Sequence, residues 1–450
     1  MTDLVIEGCA VATVDGAGTE YADGHVVVRD GAIAAVGAGP APADTPGRRV
    51  RAPGHLATPG LVNTHHHLYQ WLTQGRVPEA TLFEWLTALY PVWRHVDAAM
   101  TGAAAAAGLA WLARSGATTV ADHPYLFPPG SGDLVAAEVA AGAEVGVRLH
   151  LCRGSMDLGE SRGGLPPDDV TEDLGVAIAA SAAAIEAHHD PAPDSFLRLA
   201  VGPCSPFSST SELMRESAAL ARAYGVRLHT HLAETVEEDE FCRERFDLSP
   251  ADYVAELGWS GADVWFAHAV HLDEAAIRRF GAEGTGVAHC PTSNARLGAG
   301  IAGVPELLRA GAPVGLGVDG AASSEGTRLA GEMHQALLMA RARGGPRALT
   351  ARQALELATL GGARCLGRDA ELGSLEPGKQ ADIALWRLDG PGHAAIADPV
   401  TALVFGPPAP LTLLLAGGRT LVEDDELRTA DEAKLLSAAL AARGRLEGAA

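Results

Sequence analysis

His65 and His67 stand one residue apart in LVNTHHH. In a strand, residues i and i+2 face the same side, so both imidazoles would aim at one point while His66 points away. Taken alone, an H-x-H pair is explained as readily by packing or a surface position as by a ligand role. A second pair, His229 and His231 in HTHLAE, repeats the spacing and puts Glu234 in the loop that follows. A third run ends in GVDG, which places Asp319 beside flexible glycine. Three neutral imidazoles and one carboxylate make a four-ligand set suited to Zn2+ or Fe2+ that can still accept a water. His268, the last residue of VWFAH, is a further candidate for this site and could equally be a histidine satisfied within the core. His123, His271 and His289 read as supporting or packing residues around it.

Such a set works only if the chain brings distant strand ends together. Short apolar runs end at LVNTHHH, TTVADH, VGVRLHLCR, LRLAVGPCSP, VRLHTHLAE, VWFAHAVHL, GVAHCPTSN and VGLGVDGAAS, each followed by a stretch rich in Ala and Leu. Eight repeats of strand then helix predict an α/β fold, a (β/α)8 TIM-type barrel over residues 58–371, with its chemistry at the C-terminal strand ends. A doubly wound open sheet is the alternative, but no G-x-G-x-x-G follows the first strand. Residues 1–57 and 372–430 read as short strands and turns, which suggests one small β-sandwich domain built from both chain ends; two separate appendages are the other reading. Residues 431–450 are expected to form a C-terminal helix.

The chain has 450 residues, and 34 Lys and Arg against 56 Asp and Glu give a formal charge of −22. Nucleic-acid backbones and anionic membrane surfaces reward clustered positive charge, so neither is an expected partner. A hydrophobic share of 47% with 20% charged residues belongs to a folded chain with a large core. The opening MTDLVIEGCAVATVDG has no basic stretch ahead of an apolar one, and no apolar run reaches the ~18 to 20 residues of a membrane-spanning helix. Cys9, Cys152, Cys204, Cys242, Cys290 and Cys365 are scattered without a C-x-x-C pair. A reduced, cytoplasmic protein is therefore expected.

PGLVNTHHH, HTHLAE, FAHAVHL, HCPTSN and LGVDGAAS follow the order and spacing of the amidohydrolase superfamily, and EPGKQADIAL is similar to the signature of its C-terminal β-domain. From about residue 3 to about residue 428 the chain resembles the branch of aminohydrolases that deaminate purines, pterins and triazines. The resemblance implies that His65, His67, His231 and Asp319 hold one divalent metal, Zn2+ ahead of Fe2+, with Glu234, His268 and Asp319 as catalytic groups. It selects His231 over His229, because in the family the glutamate follows the ligand by three residues. It also implies a homodimer or larger homo-oligomer. The only lysines, Lys379 and Lys434, lie outside the expected barrel, so a two-metal centre bridged by a carboxylated barrel lysine is excluded. The lack of P-C-x-x-C excludes the zinc deaminases of the cytidine type. The implied chemistry is attack of a metal-activated hydroxide on an amidine carbon. Asp319 would accept the water proton, His268 would orient the hydroxide, and Glu234 would protonate a ring nitrogen.

The substrate turns on finer features. Relatives that deaminate nucleosides carry a glutamate where YPVW has Trp93 and a histidine where GPCSP has Cys204, so both polar handles are missing here. An apolar indole favours a flat free base. HHHLYQ, LFEWLTALYPVW, HPYLFP, CRGSMDLGE with GGLPP, and HLAET followed by FCRERF resemble the 8-oxoguanine deaminase group of the family. That resemblance implies 8-oxoguanine as the small-molecule substrate, with uric acid and ammonia as products. Gln70 and Arg153 would meet the polar edge of the base, and Trp85 or Trp93 its face. A triazine or isoxanthopterin hydrolase on the same scaffold is the alternative. A non-enzymatic scaffold would have lost metal ligands that are all present. After Asp319 the family commonly has an S-N pair, whereas this chain reads Ser323, Ser324, Glu325.

Overall fold

Eight strands carry the expected runs: β1 Leu61–Asn63, β2 Ala117–Asp122, β3 Arg148–Ser155, β4 Leu197–Pro203, β5 Arg227–Leu232, β6 Val264–His268, β7 Gly286–His289 and β8 Val314–Leu316. In this computed structural model, which describes residues 3–449, they form a closed barrel. Every neighbouring pair is parallel, and the ring closes where Leu316 of β8 pairs with Asn63 of β1. The doubly wound alternative is thereby excluded. β2 and β3 are buried along their whole length, as parallel strands are when helices cover the barrel outside and side chains fill it inside.

The covering helices begin at residues suited to the task. Asp97, Asp133, Thr210 and Asp273 accept the N–H of Met100, Ala136, Leu213 and Ala276, each satisfying a donor of the first helical turn. The result is a rigid frame whose loops can differ at the top without disturbing the strands.

The two chain ends share one sheet of nine strands. Its junction is the antiparallel pairing of His55–Pro59 with Ile383–Arg387, while Leu4–Ala12 runs parallel along the other edge of His55–Pro59. The period of two in Ile383–Arg387 divides the sheet's faces. Ile383 and Leu385 join Leu4, Ile6, Leu413 and Leu415 in a separate apolar cluster, whereas Ala384 and Trp386 join the barrel core. Trp386 also fixes the start of β2. A Cβ on Gly116 would lie 2.4 Å from its ring, and Gly116 has φ +94°, so only glycine suits that position.

Above the barrel mouth, the segments Leu68–Thr73 and Leu82–Trp93 fold over β1, and the helix Glu432–Ala449 packs against both and against Ala98–Arg114. Ala442 and Leu446 of that last helix share a cluster with Leu86, Trp85 and Trp93. No helix among the described residues is long and apolar enough to cross a membrane. All six cysteines are buried and unpaired.

Candidate active site

Each chemical side chain lies at or just past a strand end: His65 and His67 after β1, His123 after β2, His231 and Glu234 at the end of β5, His268 closing β6, and Asp319 after β8. All are buried. Four backbones here adopt left-handed conformations without glycine: Ala233 (φ 50°), His268 (φ 71°), Ala269 (φ 50°) and Asp319 (φ 60°). Such residues cost about 1–3 kcal/mol each and collect where function requires a side chain to be aimed.

Following the protons shows which ring nitrogens are bare. His67 Nδ1 lies 2.7 Å from the His123 carbonyl and His231 Nδ1 lies 2.6 Å from that of Cys204, so both nitrogens carry hydrogen and donate. His229 Nδ1 donates to the Trp265 carbonyl (2.9 Å), which leaves its Nε2 to accept from His65 Nδ1 (2.8 Å). The Nε2 atoms of His65, His67 and His231 are therefore all bare lone pairs. Two of them, on His67 and His231, face each other at 3.0 Å, and Asp319 Oδ1 lies 3.4 Å from His65 Nε2 and 3.3 Å from His67 Nε2. Burial holds His65 well below the ordinary imidazole range and His67 and His231 at about 3. Despite burial, the histidine surroundings of Asp319 hold its carboxyl well below the usual range in the absence of a cation, as charged imidazoles would. Four acceptors converge with no proton among them, a donor set of the kind that suits a divalent metal. The same bonds separate the HTH pair, since His229 spends both nitrogens on Trp265 and His65.

His123 donates Nε2–H to the Gly202 carbonyl (2.7 Å), and its Nδ1 has no partner. It belongs to the same cluster of nitrogen donors as His65, His67 and His231. His289 is buried on β7, and His271 is bound through Nε2 to the Ala299 carbonyl (2.8 Å).

Glu234 and His268 face each other at 3.5 Å. His268 Nδ1 donates to Asn294 Oδ1 (2.9 Å), so its Nε2 presents a lone pair. Burial, and then the negative charges of Asp319 and Glu238, push the Glu234 carboxyl well above its ordinary range, which favours its protonated form. Asp319 Oδ2 accepts from Ser293 (2.5 Å) and Ser323 (2.9 Å), which leaves Oδ1 for the histidines. Ser323 thus orients the carboxylate, and the departure from the S-N pair begins at its neighbour Ser324.

Beside this cluster lies a pocket with Leu82, Trp85, Leu86, Phe207 and Leu297 as apolar walls and Gln70, Tyr125 and Cys204 as polar lining. Trp85 is fixed by its indole N–H to the Ala322 carbonyl (3.1 Å). Gln70 Nε2 donates to Tyr125 Oη (3.2 Å), while its Oε1 is buried without a partner. The carboxamide fits because residue 320 is glycine: a Cβ there would fall 1.8 Å from Oε1. Burial raises the Cys204 thiol to about 12, so it lines the cavity as a neutral group.

Two residues expected at the base lie elsewhere. Trp93 packs behind Trp85, with ring centres 5.1 Å apart, and donates to Thr73 Oγ1 (3.0 Å). Arg153 is held by both oxygens of Glu172 at 2.7 Å and stacks on Phe127, away from the cavity. Four contributors went unnoticed in the sequence. Ser293 and Asn294 sit within HCPTSN, where their types alone suggested no role. Tyr125 had no signal. Glu238 had one, the T-x-x-E spacing from Thr235 that marks a helix start.

The amidohydrolase family profile matches residues 56–420. The chain belongs to the amidohydrolase family. It is 44% identical over 428 residues to 8-oxoguanine deaminase from Pseudomonas aeruginosa, covering 94% of this chain and 95% of that one. Isoxanthopterin deaminase from an unknown prokaryotic organism is 38% identical over 416 residues, covering 87% and 86%. Among solved structures, atrazine chlorohydrolase from Arthrobacter aurescens TC1 complexed with zinc superposes with a TM-score of 0.93 at 32% identity, covering 98% of this chain and 100% of that one. With such relatives this amidohydrolase is a hydrolase acting on C–N bonds, and its bare donor set is that of a divalent-metal site.

Proposed function

We propose that this amidohydrolase deaminates a free oxidised purine base, converting 8-oxoguanine and water to uric acid and ammonia. The observation that carries the reading is the pocket: apolar plates including Trp85, no lysine or arginine among its lining, and, away from the histidines, an unpartnered acceptor, Gln70 Oε1. Such a pocket suits a neutral, flat ring with an N–H on its edge and offers no lysine or arginine to a phosphate or carboxylate. The 44% identity to an 8-oxoguanine deaminase across nearly both whole chains supports the same base. The indole wall of the free-base argument is Trp85 here, with Trp93 as its backing.

His65, His67, His231 and Asp319 would hold one metal, for which zinc is favoured by the zinc-bound neighbour. A divalent ion there lowers the pKa of water toward ~7 and so makes a nucleophile available at neutral pH. His268 Nε2, the free lone pair facing the site, takes the water's proton; Asp319 Oδ2 is already filled by two hydroxyls and keeps the carboxylate oriented. Glu234 gives its proton to the ring nitrogen beside the attacked carbon, then recovers one from the new hydroxyl as the carbonyl forms. His268 passes its proton to the amino group, which departs as ammonia.

A second reading, a pterin or triazine amidohydrolase with the same catalytic groups, is favoured by the 38% identity to isoxanthopterin deaminase. Ammonia release by purified, metal-loaded enzyme from free bases, pterins and triazines separates the two. A preference for a pterin or triazine moves the assignment to the second reading.

A further inference from the structure

We infer that Glu238 is a positioning residue for the acid Glu234, through backbone bonds that fix the turn leading from β5 into the helix Val236–Phe246. Glu238 is fully buried, and no ion pair reaches it among the described residues. Its two carboxylate oxygens accept the backbone N–H groups of Ala233 (2.8 Å) and Glu234 (2.9 Å).

The helix Val236–Phe246 makes Glu238 its third residue, with Thr235 as N-cap. In a capping box this glutamate returns to the N–H of the N-cap itself. Here it reaches one and two residues farther back, past Thr235, to the peptides on either side of the Ala233 α-carbon. That residue has φ 50° without being glycine, a conformation that needs outside support. The same residue's carbonyl accepts from Val270 (2.9 Å) and His271 (2.9 Å), and Ala269 N–H bonds the Leu232 carbonyl (3.0 Å). The Ala233 turn is therefore a hub, with Glu238 holding its amides and the chain just after His268 holding its oxygen. The 3.5 Å approach of Glu234 to His268 depends on that hub. An ordinary helix cap would stabilise the helix without selecting these two amides.

The inference rests on the reading of Glu234 as the acid, so the test is a double-mutant cycle in which each claim has its own arm. Glu238→Gln retains one acceptor oxygen and turns an NH2 group toward the second amide. In metal-loaded enzyme, on the substrate found by the ammonia screen, Glu238→Gln should lower kcat about 10- to 100-fold with KM within about 3-fold and metal content unchanged. In a Glu234→Gln background the same substitution should change kcat by less than about 2-fold, because the side chain it positions no longer carries the proton. Equal losses in both backgrounds, a kcat near wild type, or a loss that tracks metal content overturns the inference. If Glu234→Gln alone leaves kcat intact, it is the reading of Glu234 that fails. Should Glu238→Gln not fold, Glu238→Asp, one methylene shorter, runs through the same cycle with the same expected and contrary outcomes.

Discussion

Replacing Glu234 by glutamine removes a transferable proton and almost nothing else. The side chain is 5% exposed, has the same shape as glutamine, and belongs to no metal-facing set among the described residues. Burial first, then Asp319 and Glu238, raise its pKa, so the wild-type group is protonated and able to donate until the pH rises through that raised value. General acid–base help of this kind is worth about 10² to 10⁴ in rate, or about 3 to 5 kcal/mol of barrier. Glu234→Gln should accordingly lose at least ~10² in kcat while holding its metal and binding substrate nearly as well. The sign of the pH effect follows: wild-type kcat falls on the alkaline side as Glu234 ionises, and the variant lacks that limb. Steady-state ammonia release across pH, with elemental analysis of the same samples, reads both. A variant within about tenfold of wild type, or one that keeps the alkaline limb, would refute the role given to Glu234.

Elemental analysis of the wild-type chain should find about one equivalent of divalent metal, lost when His231→Ala and Asp319→Ala are combined; two tightly held equivalents, or full retention in that variant, contradict the four-ligand site. Glu332 is buried, and burial pushes its carboxyl up to about 7 against the pull of the Thr292 N–H. Its folded pKa lies above its unfolded one, so stability should fall as pH rises between about 4.5 and 7, by about 3 kcal/mol from this group. Glu332→Gln should flatten that slope in urea melts at pH 5 and 8, and unchanged slopes would count against it. Arg153→Met strands Glu172 and should cost about 3–5 kcal/mol of stability with KM within about threefold; a large rise in KM at unchanged stability would return Arg153 to the substrate.

The barrel was legible because its periodicity is local: each apolar run ends in a polar residue, and eight such runs close only one way. The spacing of the histidine pairs pointed to the same cluster, although His65 and His67 lie just past the end of β1 rather than within a strand. Choosing between His229 and His231 needed either the family's spacing or the carbonyls of Trp265 and Cys204, which lie on other strands. Trp85 and Trp93 occur on one helix, Leu82–Trp93, and nothing in the sequence says which of them reaches the mouth. The partner that removes Arg153 from the cavity, Glu172, is 19 residues away in a loop. Ser293 and Asn294 matter through contacts to residues 26 positions distant, Asp319 and His268, a separation that local pattern does not encode.

The central claim, a neutral free-base pocket shaped for 8-oxoguanine, is tested most directly by kcat/KM for one panel: 8-oxoguanine, guanine, guanosine, adenosine, S-adenosylhomocysteine, isoxanthopterin and a triazine. A ribose has to pass the Trp85 wall, and steric rejection of that kind is worth ~10² to 10³ in kcat/KM. Guanine should also fall below 8-oxoguanine, because its bare N7 would face Gln70 Oε1 acceptor to acceptor if the base presents that edge. The account predicts 8-oxoguanine at the top and every nucleoside at least ~10² below it; a nucleoside with the higher kcat/KM would contradict it.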